Sequence, residues 1–260
     1  MRLNNTIHRR PIHLGLARAK LYTLTDHLMK FAFLTNKILK IYHSSSKTRM
    51  LKYLREQGVQ IGENVFFQSR SFNIDISRPS LVSIGDNCYF NRNFTLLTHD
   101  WVTNVFIHSG KEFINSSGRV QIGNNVSFGQ NVMVLKGVTI GDNCFIGAGS
   151  IVTKDIPANS IAAGSPCKVI MSLDDYYQRR LDRSEAEALD YARSIQERFG
   201  RRPVPADFWE EFIWFVSGDE IDEYPEIPIR SQLGPIYDQY VSSHKAKYNS
   251  FEEFLNAAGL

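Results

Sequence analysis

Residues 122–155 read IGNNVSFGQNVMVLKGVTIGDNCFIGAGSIVTKD, and an aliphatic or aromatic residue recurs at every sixth position. The recurring residues are Ile122, Phe128, Val134, Ile140, Ile146 and Val152. A helix repeats every 3.6 residues and a strand every 2, so a period of six matches neither element alone. The period predicts a chain that makes a short strand, turns a corner and presents a new inward side chain.

The same period extends towards the N-terminus. It includes Ile61 and Phe67, and then Ile84, Phe90 and Leu96. Glycine follows the repeat residue at positions 62, 85, 123, 129, 141 and 147. Asparagine is frequent in the same turns, and we expect both residue types to supply the positive φ of a sharp corner. Stacked coils would bury the repeat residues in one continuous column, which predicts a parallel β-helix solenoid.

The period breaks between residues 96 and 122. The intervening stretch, THDWVTNVFIHSGKEFINSSGR at 98–119, is polar and aromatic without the repeat. We interpret residues 99–119 as a loop extruded from the solenoid. Extruded loops are where function concentrates in repeat proteins.

The segment from Ile122 to Ile170, which ends in GAGSIVTKDIPANSIAAGSPCKVI, closely resembles the last coils of hexapeptide-repeat acyltransferases. The resemblance is strongest to the branch of galactoside, maltose and xenobiotic O-acetyltransferases. It implies a mainly β fold, a left-handed parallel β-helix over residues 58–171, with three hexapeptides per coil. It also implies a homotrimer with active sites between subunits and acetyl-CoA as co-substrate.

The flanking segments also resemble a narrower group. KTRMLKYLREQGVQIGENV at 47–65, FGRRPVPADFWEEF at 199–212 and YNSFEEFLNAAGL at 248–260 are similar to bacterial acetyltransferases of capsule, O-antigen or exopolysaccharide assembly. The implied function is acetyl transfer to a hydroxyl of a surface-polysaccharide sugar. N-acetylation of an amino-sugar nucleotide, or acetylation of a small glycoside or xenobiotic, remains an alternative.

Acetyl transfer from a thioester to an alcohol requires a base for the hydroxyl proton and donors for the developing oxyanion. His99 ends the strand-like segment FTLLTHD and matches the family's catalytic histidine, so we expect it to be the general base. His108, in the same loop, has no clear family counterpart. The resemblance assigns the oxyanion donor to the backbone N–H of Gln130. We expect a backbone carbonyl to hold the His99 tautomer, because the adjacent Asp100 is poorly placed to do so.

The remaining site residues divide into acceptor and CoA groups. The acceptor group is Asn91, Asp100 and Ser127, and many relatives have tryptophan at the position of Ser127. The resemblance assigns CoA binding to Gly129, Gly147, Ala148, Gly149, Thr153, Lys154 and Lys168. At Lys168 relatives commonly have arginine, and Met171 replaces a second basic residue, which weakens the expected clamp on the 3′-phosphate.

Three widely spaced cysteines, Cys88, Cys144 and Cys167, form no metal or disulfide pattern, and we expect reduced thiols and no metal. No activated nucleophile is evident, so direct transfer in a ternary complex is expected. Zinc carbonic anhydrases share this solenoid but need about three histidine ligands, and the repeat region offers only His99 and His108, so we do not expect that activity. A catalytically inert scaffold is also disfavoured, because it would not need the intact GAGS and TKD motifs. No transmembrane run, signal peptide or nucleic-acid motif occurs, which favours a cytoplasmic protein.

The two ends differ strongly in charge. The net charge is +10 over residues 1–57, +1 over 58–170 and −8 over 171–260. We expect a basic helical N-terminal segment over 1–57 that either caps the solenoid or lies on the inner membrane face. The extension 172–260 begins with an amphipathic helix ending at Gly200. Its many aromatic residues would either form a small core or help to build the acceptor site.

Overall fold

The computed structural model of the protein describes residues 46–260. The chain divides into two compact units, the first ending at Leu173 and the second spanning Asp174–Leu260. The first unit holds the solenoid, and the second is helical.

Strands of two or three residues build four successive coils within the first unit. The first two coils are β1 (Gln60–Ile61), β2 (Phe66–Phe67), β3 (Phe72–Ile74), β4 (Val82–Ile84), β5 (Tyr89–Phe90) and β6 (Phe94–Leu96). The next two are β7 (Val120–Ile122), β8 (Val126–Phe128), β9 (Met133–Val134), β10 (Thr139–Ile140), β11 (Cys144–Ile146) and β12 (Ile151–Val152). A final hairpin pairs β13 (Ser160–Ala163) with β14 (Lys168–Ser172).

Each coil contributes one strand to each of three parallel sheets. The first sheet has the order β1-β4-β7-β10, the second β14-β13-β11-β8-β5-β2, and the third β12-β9-β6-β3. Only the last pair, β13 with β14, is antiparallel among the strand pairs of the described residues. The left-handed parallel β-helix expected from the sequence is confirmed.

The residues of the six-residue period fill the interior of the solenoid. Ile84, Phe90, Leu96 and Ile122 are all buried there. Phe67, Phe90 and Phe128 stack on successive coils, with ring centroids 4.6 and 4.9 Å apart. This column joins coils that have no covalent cross-link, because each ring packs on the ring of the next coil.

The corners show that asparagine and glycine have different tasks. Seven asparagines have a positive φ between 54 and 60°, namely Asn64, Asn87, Asn93, Asn125, Asn131, Asn143 and Asn159. The glycines that follow the repeat residues do not, so the expectation that they supply positive φ is wrong. A Cβ at Gly85 would lie 2.7 Å from the carbonyl carbon of Gly123. These glycines are required because adjacent coils approach too closely for a side chain.

The longest interruption of the solenoid lies between β6 and β7. It contains helix α2 (Val102–His108), which follows α1 (Lys47–Glu56) in the chain. The ends of the loop form a narrow neck, in which His99 bridges antiparallel to Ser117. The Gly118 amide donates to the Thr98 carbonyl at 2.9 Å and closes this neck.

Helix α1 packs on the solenoid. Met50 and Leu54 belong to the same buried cluster as Val59, Ile61 and Ile74. The capping role expected for the N-terminal segment therefore applies to residues 47–56. Residues 1–45, on which the expected membrane contact largely depends, lie outside the described residues.

The second unit is built from helices around an aromatic core. Its α-helices are α3 (Leu173–Phe199), α4 (Ile229–Leu233), α5 (Tyr237–Ser243) and α6 (Phe251–Ala257). Short 3₁₀ helices span Pro205–Asp207, Glu211–Trp214, Gly218–Glu223 and Gly234–Ile236. Gly200 ends α3 with φ +61°, at the residue predicted from the sequence.

Six aromatic side chains of the second unit are buried in its core, and four more pack against that core while partly exposed. Phe208, Phe212, Phe215 and Phe254 are all less than 3% exposed, and Phe208 meets Phe254 edge-on with centroids 5.3 Å apart. These buried aromatic residues therefore supply core packing, and a contribution of the exposed ones to the acceptor site stays a prediction. No helix between residues 46 and 260 has the length and apolarity needed to cross a bilayer.

Candidate active site

The three corners of the solenoid position the candidate site residues. The first corner joins the first sheet to the second, the second corner joins the second sheet to the third, and the third corner leads from the third sheet to the next coil. Asp75 follows β3 and His99 follows β6, so both lie at the third corner on adjacent coils. His99 Nδ1 lies 2.6 Å from Asp75 Oδ2.

This contact corrects the expectation that a backbone carbonyl holds the His99 tautomer. A carboxylate at Nδ1 requires the proton on that nitrogen and leaves Nε2 as the acceptor of a proton. No described residue hydrogen-bonds to Nε2. The His99 side chain is 22% exposed.

Asp75 is held as a carboxylate by its surroundings. Its side chain is 9% exposed, and burial raises its pKa. Hydrogen bonds from Thr98, Ser77 and His99 outweigh burial and bring the pKa well below its usual range. The Ser77 hydroxyl donates to Oδ1 at 2.7 Å and the Thr98 amide to Oδ2 at 3.1 Å. Asp75 is thus pre-set to orient a base and to stabilise positive charge on it.

Asp75 was not foreseen from the sequence. Its coil is longer than three hexapeptides, because residues 75–81 include a 3₁₀ helix at Pro79–Leu81. The sequence distance between Asp75 and His99 is therefore 24 residues rather than one regular coil. The available signal was an acidic residue directly after a strand-like segment, FNID, at the same corner as His99.

Asp100 supports the neck of the loop. Its Oδ2 lies 2.6 Å from Lys136 Nζ, and its Oδ1 accepts from the Val102 amide at 3.1 Å. The Lys136 hydrogen bond is the main reason that the pKa of Asp100 falls to about 2. The Ser116 hydroxyl also donates to this carboxylate. Because its oxygens are engaged within the chain, Asp100 ties the loop to the coil below, and a role in acceptor binding stays a prediction.

His108 is exposed at the last residue of α2. Lys136 occupies the third corner of the next coil and, like Asp75, was not predicted from the sequence. Its ammonium group forms an ion pair with Asp100, the residue that follows His99.

Two predicted residues present backbone donors at the second corner. Gln130 and Ala148 occupy equivalent positions on successive coils, and Gly149 N–H donates to the Gln130 carbonyl at 2.8 Å. The amides of Gln130 and Ala148 have no hydrogen-bond partner among residues 46–260. Such outward N–H groups can bind an oxyanion or a carbonyl oxygen.

Gly129 and Gly147 make this corner narrow. A Cβ on Gly129 would lie 2.5 Å from the Ala148 nitrogen, and one on Gly147 would lie 2.8 Å from the Ala163 Cβ. Gly149 has φ +72° with open space beyond it. Asn91, one coil earlier, uses its side-chain oxygen to accept from the Arg92 amide at 2.8 Å.

The three remaining CoA candidates lie at two places. Thr153 and Lys154 follow β12 at the third corner, below His99, and both are exposed. Lys168 begins β14, next to the second corner, opposite Ala163. Neither lysine forms an ion pair with a described residue, so both ammonium groups are available to phosphates.

Ser127 interrupts an outward-facing aromatic row on the second sheet. It pairs in register with Tyr89 on one side and with Phe145 on the other. Tyr89 in turn stacks on Phe66, with centroids 5.3 Å apart. Serine thus leaves a gap one residue wide between two aromatic side chains.

The three cysteines contribute no nucleophile to these corners. Cys88, Cys144 and Cys167 are free and buried, and burial raises the pKa of each thiol. No group of three His, Cys, Asp or Glu side chains within the described part of the chain is arranged to hold a metal ion.

The candidate residues form two separate columns. His99, Thr153 and Lys154 lie at the third corner, whereas Gln130 and Ala148 lie at the second. The strands of the third sheet separate the two corners. One chain therefore does not bring the base and the oxyanion donor together.

Comparisons with known proteins agree with the repeat pattern. The profile of the family described as bacterial transferase hexapeptide (six repeats) matches residues 119–154. Galactoside O-acetyltransferase of Escherichia coli (strain K12) is 45% identical over 118 residues, covering 45% of this chain and 55% of the relative. A putative acetyltransferase of Staphylococcus aureus (strain COL) is 40% identical over 133 residues, covering 42% of this chain and 67% of the relative.

A solved galactoside acetyltransferase in complex with coenzyme A is 32% identical, with a TM-score of 0.41. The match covers 56% of this chain and 82% of that one. The chain spans just over half the length of the E. coli relative and two thirds of the S. aureus relative.

Proposed function

Since the chain belongs to the hexapeptide-repeat acyltransferase family, we propose that it is an acetyl-CoA-dependent O-acetyltransferase acting on a hydroxyl of a bacterial surface-polysaccharide sugar. The observation that carries the proposal is the Asp75–His99 pair, in which Asp75 holds Nδ1 and leaves Nε2 without a hydrogen-bond partner among residues 46–260. The 45% identity to a galactoside O-acetyltransferase supports acetyl transfer to a sugar hydroxyl. The resemblance of the flanking segments to polysaccharide acetyltransferases supports the polymer or its repeat unit as acceptor.

In this mechanism His99 acts on the acceptor hydroxyl. Nε2 takes the hydroxyl proton while the oxygen attacks the thioester carbonyl carbon, and Asp75 stabilises the imidazolium that results. The Gln130 amide donates to the oxyanion of the tetrahedral intermediate. When the carbon–sulfur bond breaks, the imidazolium returns the proton to the CoA thiolate, and the acetyl ester is released.

The separation of the two columns supports a site between subunits. In a homotrimer the third corner of one copy can face the second corner of its neighbour. His99 and Asp75 would then come from one copy, and the amides of Gln130 and Ala148 from the next. Lys154 and Lys168 would be placed to bind CoA phosphates. The proposal places the protein in the cytoplasm, with its thiols reduced.

The activity is tested by thiol release from acetyl-CoA with a panel of acceptors. The panel contains capsular polysaccharides, lipid-linked repeat units, simple glycosides and amino-sugar nucleotides. Release with a polysaccharide or a repeat unit supports the proposal. Release with amino-sugar nucleotides alone would make the protein an N-acetyltransferase. Release with simple glycosides alone would exclude a polysaccharide or its repeat unit as the acceptor.

The shared site is tested by mixing two inactive variants. His99→Ala removes the base, and Gln130→Pro removes the amide donor. If each site combines two copies, trimers reassembled from equal amounts regain about a quarter of the wild-type sites. Sites contained within one copy would regain nothing.

A further inference from the structure

A cavity of about 380 Å³ lies beside the Asp75–His99 pair in the first unit. Helix α1 forms one wall through Met50, Tyr53 and Leu54, and the third sheet with its following corner forms the other. Both catalytic candidates line the cavity, so it is continuous with the candidate active site.

The lining of this cavity is mainly apolar. Its apolar side chains are Met50, Leu54, Phe72, Ile74, Ile76 and Leu97. The polar residues of the lining are Tyr53, Asn73, Asp75, Ser77 and His99. The last three are engaged with one another, since Ser77 and His99 both hydrogen-bond to Asp75. A hydroxyl-rich ligand placed against the apolar wall would lose its hydrogen bonds to water and gain few in return.

The charge of the cavity lining indicates which of the two substrates, acetyl-CoA or the acceptor, can enter the cavity. Among residues 46–260, no lysine or arginine lines the cavity, so this part of the chain offers no cation there to the phosphates of CoA. The acceptor, in contrast, must bring its hydroxyl to His99. The acceptor is therefore the substrate that can extend into this space.

We propose that the cavity between α1 and the third sheet binds an apolar substituent of the acceptor, close to the hydroxyl that is acetylated. This inference rests on the proposed function and narrows its substrate class to glycosides that carry an alkyl, aryl or deoxy-sugar methyl group near that hydroxyl. Met50 and Ile76 are specificity-determining residues of this subsite.

The test is calorimetric titration of the full-length protein with methyl, butyl and hexyl β-D-galactosides in the absence of acetyl-CoA. Affinity rises about fourfold for each methylene that enters the cavity. The heat capacity of binding becomes more negative along the series. Equal affinities along the series, or no binding of any member, overturn the inference.

Matched variants identify where the alkyl chain binds. Met50→Trp fills the cavity and abolishes the dependence on chain length, whereas Lys52→Trp, on the exposed side of the same helix, leaves it unchanged. If Met50→Trp does not fold, Ile76→Asn tests the same wall by adding a polar group. A length dependence that persists in a folded cavity variant overturns the assignment. Thiol release with hydroxylated glycans but no length dependence would leave the proposed function intact and remove only this inference.

Discussion

His99 Nδ1 lies 2.6 Å from Oδ2 of Asp75, across two coils of the solenoid that meet at the same corner. The carboxylate is nearly buried and accepts further hydrogen bonds from Ser77 and Thr98. The histidine is thereby restrained through one nitrogen while the other remains open. This arrangement suits a general base whose orientation is set before the substrate arrives.

Replacing His99 by alanine tests the base directly. We expect turnover to fall by roughly 10²–10⁴-fold, because no other described group takes over the proton. The KM for acetyl-CoA should stay close to that of the wild type, because the proposed mechanism has His99 act on the acceptor hydroxyl. Steady-state thiol-release kinetics measure both values. His108→Ala, at the exposed end of α2, is the control and retains activity; wild-type turnover in folded His99→Ala would contradict the assignment.

Asp75→Asn tests orientation of the base. Asparagine retains the size of the side chain but loses the charge that stabilises imidazolium, so we expect kcat to fall by about 10²-fold or more. The KM for acetyl-CoA should change little, which a general loss of structure would not produce. Asp75→Glu should recover part of kcat. Equal loss in both variants, accompanied by a lower melting temperature, would assign Asp75 a structural role alone.

The same residue predicts a pH dependence of stability. The folded-state pKa of Asp75 lies below its unfolded value of about 3.9. Its stabilising contribution is therefore complete above about pH 5 and is lost as the pH falls below the unfolded-state pKa. The difference in unfolding free energy between wild type and Asp75→Asn should shrink between pH 6 and pH 3, as measured by urea titration. A difference that grows on acidification would reverse the assigned sign.

The cysteines distinguish direct transfer from an acyl-enzyme. Cys88→Ala, Cys144→Ala and Cys167→Ala should each retain turnover, because the three thiols are buried and burial raises their pKa values. Each variant is compared by thiol release and by thermal melting. Loss of turnover in one folded variant alone would contradict direct transfer and call for a revised mechanism.

Gly85→Ala tests the close approach of the coils. Its Cβ would meet the Gly123 carbonyl at 2.6 Å, and we expect a loss of about 3 kcal/mol in unfolding free energy. Gly110→Ala is the matched control, because its φ is +74° but nothing lies within 4 Å of the new Cβ. The control should cost about 1 kcal/mol, from backbone conformation alone. If urea titration gave equal losses of unfolding free energy in the two variants, contact between adjacent coils would not be the reason that Gly85 is required.

The repeat, the buried column and the extruded loop were all readable from the sequence. Their signals are local, because a six-residue period decides which side chain points inward at each turn of the chain. Ile84, Phe90 and Leu96 are buried as the period predicts. The glycine function was misread because the contact of Gly85 with Gly123 joins residues 38 positions apart, across a coil boundary.

The sequence by itself determined the solenoid, its corners and the position of His99, since these depend on the spacing of residues along the chain. Only the tertiary structure decided what His99 touches. Asp75 reaches it because a coil of irregular length brings two distant residues to one corner, and no fixed spacing encodes that. Helix α1 likewise meets this corner only through packing, and its side chains form one wall of the cavity beside Asp75 and His99.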